Sequence, residues 1–443
     1  MTSTVRPGEA GYDEERAGFQ AAVEHRPDVI YVAESAGDVQ AAVEFAAANR
    51  LPLAVKATGH GTSVAASGGV LVSTRRMTGV HVDKEAHTAS FEAGTRWDQV
   101  IEACAPHGLA PLSGSAPHVG AVGYTLGGGL GLLSRGYGFA ADSVRGIEVV
   151  TPDGGAHHVT AASEPDLFWA LRGGRDNFGA VTGLEVDLVP VARLYGGALS
   201  FPGDRAQSIM DTYLSWTRTV PEQMASSLAL ARFPDLPAIP EPLRGKHVAQ
   251  VRVAYSGDAG DGAELLAPLR AAGPRLLDTA RDMPYAESGT VHNDPTEPVA
   301  AYSTNVLLST VDSGAVLERT SPPEAQVPFI AEIRHLGGAL ARPPAEPSAV
   351  GHRNASYLLA LVTPLDPSAD VDAVGSAHER VHDGQRRWVL GRSLNFMSGP
   401  AASVERVREA YEPEDYRRLQ RLKARYDPEN MFRFNHNIPP AGA

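Results

Sequence analysis

The chain has 443 residues, 43% of them hydrophobic, which exceeds one ordinary core and predicts two or three domains. A formal charge of -13 excludes the basic face that nucleic acid or an anionic membrane would require, and leaves a small molecule as the expected partner. The single cysteine, Cys104, permits no intrachain disulfide, MTSTVRPGEAGYDEER has no signal-type apolar core, and no run approaches the roughly 18 apolar residues of a membrane span, so a cytoplasmic protein is expected.

Residues 12–27 read as a helix closed by Arg26-Pro27, followed by the short apolar strand DVIYVA. Ser35 and Asp38 introduce VQAAVEFAAANR, whose spacing suits an amphipathic helix, and LPLAVKA follows as a buried strand. This strand, helix, strand unit delivers the chain to Lys56-Ala57-Thr58-Gly59-His60-Gly61-Thr62-Ser63, a loop of small residues centred on a histidine. In such a loop a histidine is more often a turn residue than a functional one. Strands are predicted at GVLVST and HTASFEAG, and the helix TRWDQVIEACAPHG leads into a glycine-crowded run from Gly114 to Gly138.

That run, GSAPHVGAVGYTLGGGLGLLSRGYG, carries Gly120, Gly123, Gly127, Gly128, Gly129 and Gly131 among small or apolar neighbours. Glycine has the most backbone freedom to lose, so this density implies a backbone that something approaches closely. Two partners fit: a phosphate-bearing cofactor met by bare amides, or the chain itself in a tightly packed turn. No G-x-G-x-x-G opens a helix after the first strand and no G-x-x-x-x-G-K-[ST] occurs, so ordinary Rossmann and P-loop readings lose their support.

Downstream, Asp142 leads into a strand, GIEVVTPDG, turning at Asp153-Gly154, and SEPDLFWALRGG reads as a helix with Ser163 as N-cap and Gly173 as terminator. Composition shifts at LVPVAR, placing a boundary near Pro190. Residues 191–392 alternate helical DRAQSIMDTYLSWTRTV and DGAELLAPLRAAG with strand-like HVAQVRVAYSG, PFIAEIRHLGG and ASYLLALVTP, which predicts a mixed sheet with helices over one face. Glu332, Arg334 and His352 are candidate substrate contacts on that sheet, although such residues are more often surface or salt-bridged groups. His378-Glu379-Arg380-Val381-His382 satisfies H-E-x-x-H, the zinc-hydrolase pattern, but a five-residue match arises readily by chance among 15 histidines. A surface helix is expected there, and no metal ligand is assigned.

VKATGHGTS and, about sixty residues later, APHVGAVGYTLGGGLG together resemble the flavin-binding fold of the vanillyl-alcohol oxidase superfamily, and more narrowly the berberine-bridge-enzyme-like FAD oxidases. The resemblance continues through RGYGFAADSV, DLFWALRGGRDNFGAVTGLEVDL, HRNASYLLALV, SLNFM and YDPENMFRFNHNIPP, touching nearly the whole chain in order. It implies an α+β, two-domain PCMH-type fold, with an FAD-binding domain over 1–190 that the chain rejoins at 393–443, and a substrate domain over 191–392 whose sheet roofs the flavin. The same resemblance implies cofactor contacts from residues 56–63, from Pro117, Val119, Gly120, Gly123, Tyr124, Gly127, Gly128 and Gly131, from Gly179 and Val181, and from Asn435 and Asn437, with Arg433 folded beside them.

In the family's R-x-x-G-H loop the histidine commonly bonds the 8α-methyl of FAD; here that residue is His60, with Lys56 in the arginine's place. The family's second linking cysteine, in C-x-x-V-G, is replaced in Ala116-Pro117-His118-Val119-Gly120, so a single 8α-histidyl link is expected. Such a link raises the flavin potential, and the resemblance implies that Val119 leaves room for dioxygen, which favours an oxidase. Tyr124 stands where a family histidine meets the flavin N1 and C2 carbonyl edge, positioned to hydrogen-bond the charge that develops there. The family's Y-x-N-[FY] reads Ser393-Leu394-Asn395-Phe396, keeping Asn395 and losing the tyrosine base; Tyr124, Glu332 and Tyr302 are the substitutes. The expected reaction is hydride transfer from a bulky specialised metabolite to flavin N5 with dioxygen as acceptor, a carbohydrate oxidase being the same-fold alternative.

Overall fold

Three β-sheets carry the chain in a computed structural model, which describes residues 3–320 and 330–442. Strands β1 (Ser3–Val5), β2 (Val29–Val32), β3 (Leu53–Lys56) and β4 (Val70–Ser73) form the first, in the order β1-β2-β4-β3, with β2 and β3 both parallel to β4. The helix Ala36–Asn49 makes the crossover from β2 to β3; the Ser35 hydroxyl accepts from the Asp38 amide, and Val39, Ala42, Val43 and Ala46 bury its inner face. The crossover leaves Lys56 at the carboxyl end of β3, where the small-residue loop begins.

The helix expected over residues 12–27 is only Tyr12–Arg16. Beyond it the backbone lies against the loop: the Phe19 amide donates to the Thr58 carbonyl at 2.9 Å, and a Cβ on Gly59 would stand 2.7 Å from the Gly18 Cα. This long-range pairing outcompetes local helical propensity.

Strands β5 (Val80–Asp83), β6 (Thr88–Glu92), β7 (Val144–Val150), β8 (Ala156–Val159) and β9 (Ala180–Asp187) form an antiparallel second sheet, ordered β5-β6-β9-β7-β8. It shares a core with the helices Trp97–Cys104, Pro165–Gly174 and Pro413–Tyr426, in which Phe91, Trp97, Phe168, Phe178, Leu419 and Ile438 are buried. Ser163 does not cap its helix: Glu164 occupies that position at φ 51°, and the Ser163 hydroxyl donates to the His158 carbonyl instead.

Strands β10 (Arg193–Pro202), β11 (Met224–Arg232), β12 (His247–Tyr255), β13 (Leu277–Asp278), β14 (Arg281–Pro284), β15 (Ala301–Leu308), β16 (Ile330–His335), β17 (Tyr357–Pro364) and β18 (Val389–Gly391) make the third sheet, ordered β13-β10-β12-β11-β16-β17-β15-β18 with β14 also on β10. Pro328 and Phe329 of the predicted strand PFIAEIRHLGG lie outside the described residues. Every pairing in this sheet is antiparallel, where the sequence predicts a mixed sheet. The reason is topological. The helical crossovers from β10 to β11 and from β15 to β16 each leave a one-strand gap, and β12 and β17 return to fill those gaps antiparallel.

Side-chain alternation divides this sheet. Val306, Leu308, Ala331 and Ile333 pack under helices such as Ala206–Trp216, while Glu332 and Arg334 take the opposite face. Among the described residues no helix is long and apolar enough to cross a membrane.

Candidate functional site

The loop at 56–63 and the start of the glycine run meet directly, the Gly120 amide donating to the Thr58 hydroxyl at 3.3 Å. Between them lies a cleft of about 330 Å³, walled by residues 54–63, 114–116, 119–120 and 122–124, by Arg175, Asp176 and Val181, and by Phe434, Asn435 and His436. Arg334, Asn395 and Phe396 close it from the side of the third sheet.

At one end His60 stacks on Phe19, with ring centroids 3.7 Å apart and planes at 17°, and faces His118 at 4.8 Å. Burial, reinforced by His118, pushes the His60 imidazole down to about 3, so it is neutral at physiological pH. Lys56 does not present its charge to the cleft; it is buried, pushed down to about 8 by burial, and its ammonium donates to the Ala17 carbonyl.

The cleft wall is rich in buried polar atoms without a partner: His25 Nε2, Ser63 Oγ, Tyr124 Oη, Arg175 Nε and Asn435 Oδ1, with His118 Nε2 and Asn437 Oδ1 close behind. Buried polar groups are nearly always satisfied, so their concentration here calls for a ligand that donates and accepts along its length. A flavin dinucleotide, with a polar ring edge, ribityl hydroxyls and a diphosphate, fits this wall.

Residues 56–63, Val119, Gly120, Gly123, Tyr124, Val181 and Asn435 all line the cleft. Pro117, Gly127, Gly128, Gly131, Gly179 and Asn437 do not, for packing reasons. The Pro117 carbonyl accepts from the Asp98 amide at 2.7 Å and so ties down the start of a helix. A Cβ on Gly131 would stand 1.9 Å from the Ser113 carbonyl oxygen, and one on Gly179 would stand 2.6 Å from that of Val150. The glycine run therefore serves both anticipated purposes, ligand approach in its first half and close chain packing in its second. Arg433 is exposed and donates to the Asn430 carbonyl, away from the cleft.

Among the candidates for catalysis, Asn395 has both ends of its amide engaged: Nδ2 donates to the Tyr124 carbonyl at 2.9 Å and Oδ1 accepts from Arg175 Nη2 at 3.1 Å. Burial raises the Tyr124 phenol, which stays protonated and can donate a hydrogen bond rather than act as a base. For Glu332 burial alone would raise the carboxyl, yet Arg334, His292 and Arg252 together hold it well below the usual range. Its oxygens accept from Ser227 at 2.8 Å, Arg252 at 3.0 Å and Arg334 at 2.8 Å, which leaves it a poor base.

Tyr302 is not in the site. Strand alternation turns it to the helical face, where its hydroxyl accepts from Arg406 at 3.0 Å and its ring meets His378 edge-on. His352 sits at φ 53° against the C-terminal segment, its ring nitrogens at the Glu409 carbonyl and the Glu412 carboxylate. The helix Val371–Asp383 bears the H-E-x-x-H pattern, but His378 and His382 are buried rather than on a surface face, both within 2.8 Å of the Thr304 hydroxyl, while Glu379 pairs with Arg406. Sequence reasoning missed Phe19, Arg175 and Asp176. The GGRDN stretch was the only available signal for the last two, and nothing local marks Phe19.

Residues 27–160 match the family model of an FAD binding domain, and residues 390–439 that described as berberine and berberine like. The (R)-6-hydroxynicotine oxidase of Paenarthrobacter nicotinovorans is 27% identical over 464 residues, spanning 99% of this chain and 97% of that protein. The crystal structure of 6-hydroxy-D-nicotine oxidase from Arthrobacter nicotinovorans has a TM-score of 0.86 at 24% identity, over 99% of this chain and 98% of that one. Xylooligosaccharide oxidase from Myceliophthora thermophila, in complex with xylobiose, has a TM-score of 0.85 at 21% identity, over 100% and 98% of the two chains. With both loops of the cofactor cleft joined, the chain carries an FAD binding domain over 27–160 and a berberine-like segment over 390–439, and along nearly its whole length it is similar to FAD-linked oxidoreductases.

Proposed function

We propose that the protein is an FAD-dependent oxidase that removes a hydride from a carbon bearing a hydroxyl or amine on a bulky specialised metabolite, with dioxygen as the electron acceptor. The observation that carries this reading is the continuous cleft, with His60 on its wall and unpartnered polar atoms of Ser63, Tyr124, Arg175 and Asn435 along it, beneath a separate sheet. Held by the loop at 56–63 and the start of the glycine run, FAD would supply a two-electron acceptor for the hydride, and dioxygen would take the pair on as hydrogen peroxide. Residues 1–190 and 393–443 hold the cofactor in this reading, and 191–392 form the substrate side.

His60, neutral and pressed against Phe19, offers its imidazole for a single covalent link to the 8α-methyl, and Ala116 offers nothing for a second. Val119, partly buried on the cleft wall, leaves space for dioxygen. Tyr124 donates a hydrogen bond, and Asn395, fixed at both ends, holds Arg175 in place. With Glu332 fully engaged and Tyr302 on the far face, the departing proton passes to the substrate's own amine or to water.

A second reading, an oligosaccharide oxidase, is favoured by one feature. Ser115, hydrogen-bonded to Asp294 at 2.8 Å, and Arg334, both on the cleft wall, provide polar groups that suit a substrate with many hydroxyls. Peroxide release from polycyclic alcohols and amines, set against release from xylo- and cello-oligosaccharides, decides between the two. For the cofactor, acid-precipitated protein should stay yellow and fluorescent, and His60→Ala should lose that colour to the supernatant. Free flavin from the unaltered chain would defeat the covalent link and leave FAD binding intact. Substrate-dependent bleaching that does not recover in air would defeat the oxidase.

A further inference from the structure

Strand β16 turns Glu332 and Arg334 toward the cleft side of the third sheet and sends Ala331 and Ile333 into the helical layer. Glu332 lies between two guanidinium groups, with Arg252 Nη1 at 3.0 Å and Arg334 Nε at 2.8 Å. The three side chains are only 10%, 13% and 14% exposed for Glu332, Arg252 and Arg334, so solvent screens them poorly. His292 Nδ1 stands 3.7 Å from Glu332 Oε1, with burial pushing the ring toward its neutral form. Asp294 is engaged by the Ser115 hydroxyl at 2.8 Å and forms no ion pair with either arginine among the described residues. Two arginines share the one carboxylate they contact, with Asp294 acting on Arg334 from beyond ion-pair distance, so one positive charge in this water-poor roof lacks a contacting anion among the described residues, and such a charge is costly to bury.

The excess can be assigned to one side chain. Arg334 gives only its Nε to Glu332, and its guanidinium lies over the Phe396 ring at 4.8 Å. Stacking occupies the face of the planar group and fixes its tilt, while the terminal Nη donors make no hydrogen bond among the described residues and belong to a side chain on the cleft wall. A rigid, planar fork of this kind matches a carboxylate in bidentate geometry.

We propose that Arg334 anchors a carboxylate on the substrate, so that this oxidase takes acidic metabolites in preference to neutral ones of the same shape. The proposal rests on the reading that the space beneath the third sheet is where the substrate sits. It extends to the carbohydrate alternative, for which it selects uronic over neutral sugars. Arg334 is then a specificity residue, and Glu332 with Phe396 positions it.

The test uses the flavin-loaded protein and follows its visible absorption during titration with benzoate and with benzamide, its neutral counterpart. Benzoate should perturb the spectrum with an affinity at least about tenfold tighter than benzamide. Arg334→Gln should remove the difference, and Arg334→Lys, which keeps the charge without the fork, should fall between. Arg334→Gln leaves Glu332 paired with Arg252 and Ser227, so the variant should remain folded and yellow. A spectrum unmoved by benzoate, equal affinities in the unaltered enzyme, or a benzoate preference that survives in Arg334→Gln would overturn the proposal. A colourless protein would remove the flavoenzyme reading and this proposal with it, whereas a yellow protein indifferent to ligand charge removes the proposal alone.

Discussion

Lys423→Met tests the knot that fastens the C-terminal segment to the cofactor cleft. Lys423 and Asp427 are 0% and 1% exposed, and Nζ donates to Asp427 Oδ2 at 2.6 Å, to the Asn177 carbonyl at 2.7 Å and to the Phe432 carbonyl at 2.9 Å. Asp427 also accepts from the amides of Met431 and Phe432, and the Asn177 side chain bonds the backbone of His436 and Ile438. Burial lowers the Lys423 ammonium while Asp427 opposes the shift. Methionine keeps the length of the side chain, removes three donors, and leaves the Asp427 carboxylate buried with backbone amides alone. Breaking a buried pair in this way costs about 3–5 kcal/mol, and the apolar stem of methionine returns part of that. The expected loss is about 3 kcal/mol, more than a hundredfold in the folded-to-unfolded ratio, read from urea unfolding followed by flavin fluorescence. Adding Asp427→Asn, which keeps an acceptor but removes the stranded charge, should recover about half of the loss. A Lys423→Met protein weakened by less than about 1 kcal/mol, or a double variant weaker than the single, would refute this account.

Burial lowers His25 and His378 to about 4 and His335 and His436 to about 3. An unfolded chain takes up these protons near the ordinary value of about 6.5, and the folded one refuses them. Stability should therefore be complete above that pH and fall below it by up to roughly 1.4 kcal/mol per pH unit for each histidine. A urea midpoint unchanged between about pH 7 and pH 5 would show that these rings are not held neutral. Two glycines should separate packing from ligand approach. Gly131→Ala places a methyl 1.9 Å from the Ser113 carbonyl oxygen and 2.8 Å from the Tyr124 hydroxyl, so it should cost about 3 kcal/mol or more in thermal unfolding. Gly123→Ala meets nothing within 4 Å and lies inside the helix Ala121–Leu126, so it should keep or slightly raise the apoprotein's melting temperature while lowering FAD affinity. Arg175 holds φ 56°, ψ -155°, a conformation natural to glycine, with its guanidinium on the cleft wall. Arg175→Gly should stabilise the apoprotein by about 1 kcal/mol through relief of strain and weaken FAD binding about tenfold. Unaltered affinity in a flavin titration would deny Arg175 a part in holding the cofactor.

The legible parts of this chain were those in which a residue carries its own chemistry. The Ser35 and Asp38 pair marks the start of a helix, and all eight residues of the loop at 56–63 reach the cleft. What stayed hidden depends on a partner distant in sequence. Phe19 covers His60 because backbone near Gly18 pairs with Gly59, and a local pattern that reads as helix holds no trace of that. Strand alternation correctly separates Tyr302 from Ser303, and Glu332 from Ile333, but both faces of the third sheet are covered, so composition could not say which face meets the flavin. The H-E-x-x-H helix fails in the same way: its two histidines do share a face, and that face turns inward to Thr304.

The cations make the point most sharply. Lys56 occupies the position where the family carries its loop arginine, yet its ammonium is engaged by the Ala17 carbonyl. Arg172, buried deeper still, donates to the carbonyls of Phe168, Glu346 and Pro347. Arg175 and Arg334 look no different in the sequence, but each reaches the cleft with donors that make no hydrogen bond among the described residues, Nε in Arg175 and the terminal nitrogens in Arg334. A buried guanidinium keeps its charge whatever surrounds it, so the two that the fold leaves incompletely paired set the charge a bound molecule must supply. Arg175 stands among the residues of the cofactor loops and Arg334 beneath the third sheet, so on the proposed reading this residual valence, rather than the identity of any side chain, would give the cleft a preference for anions on both sides.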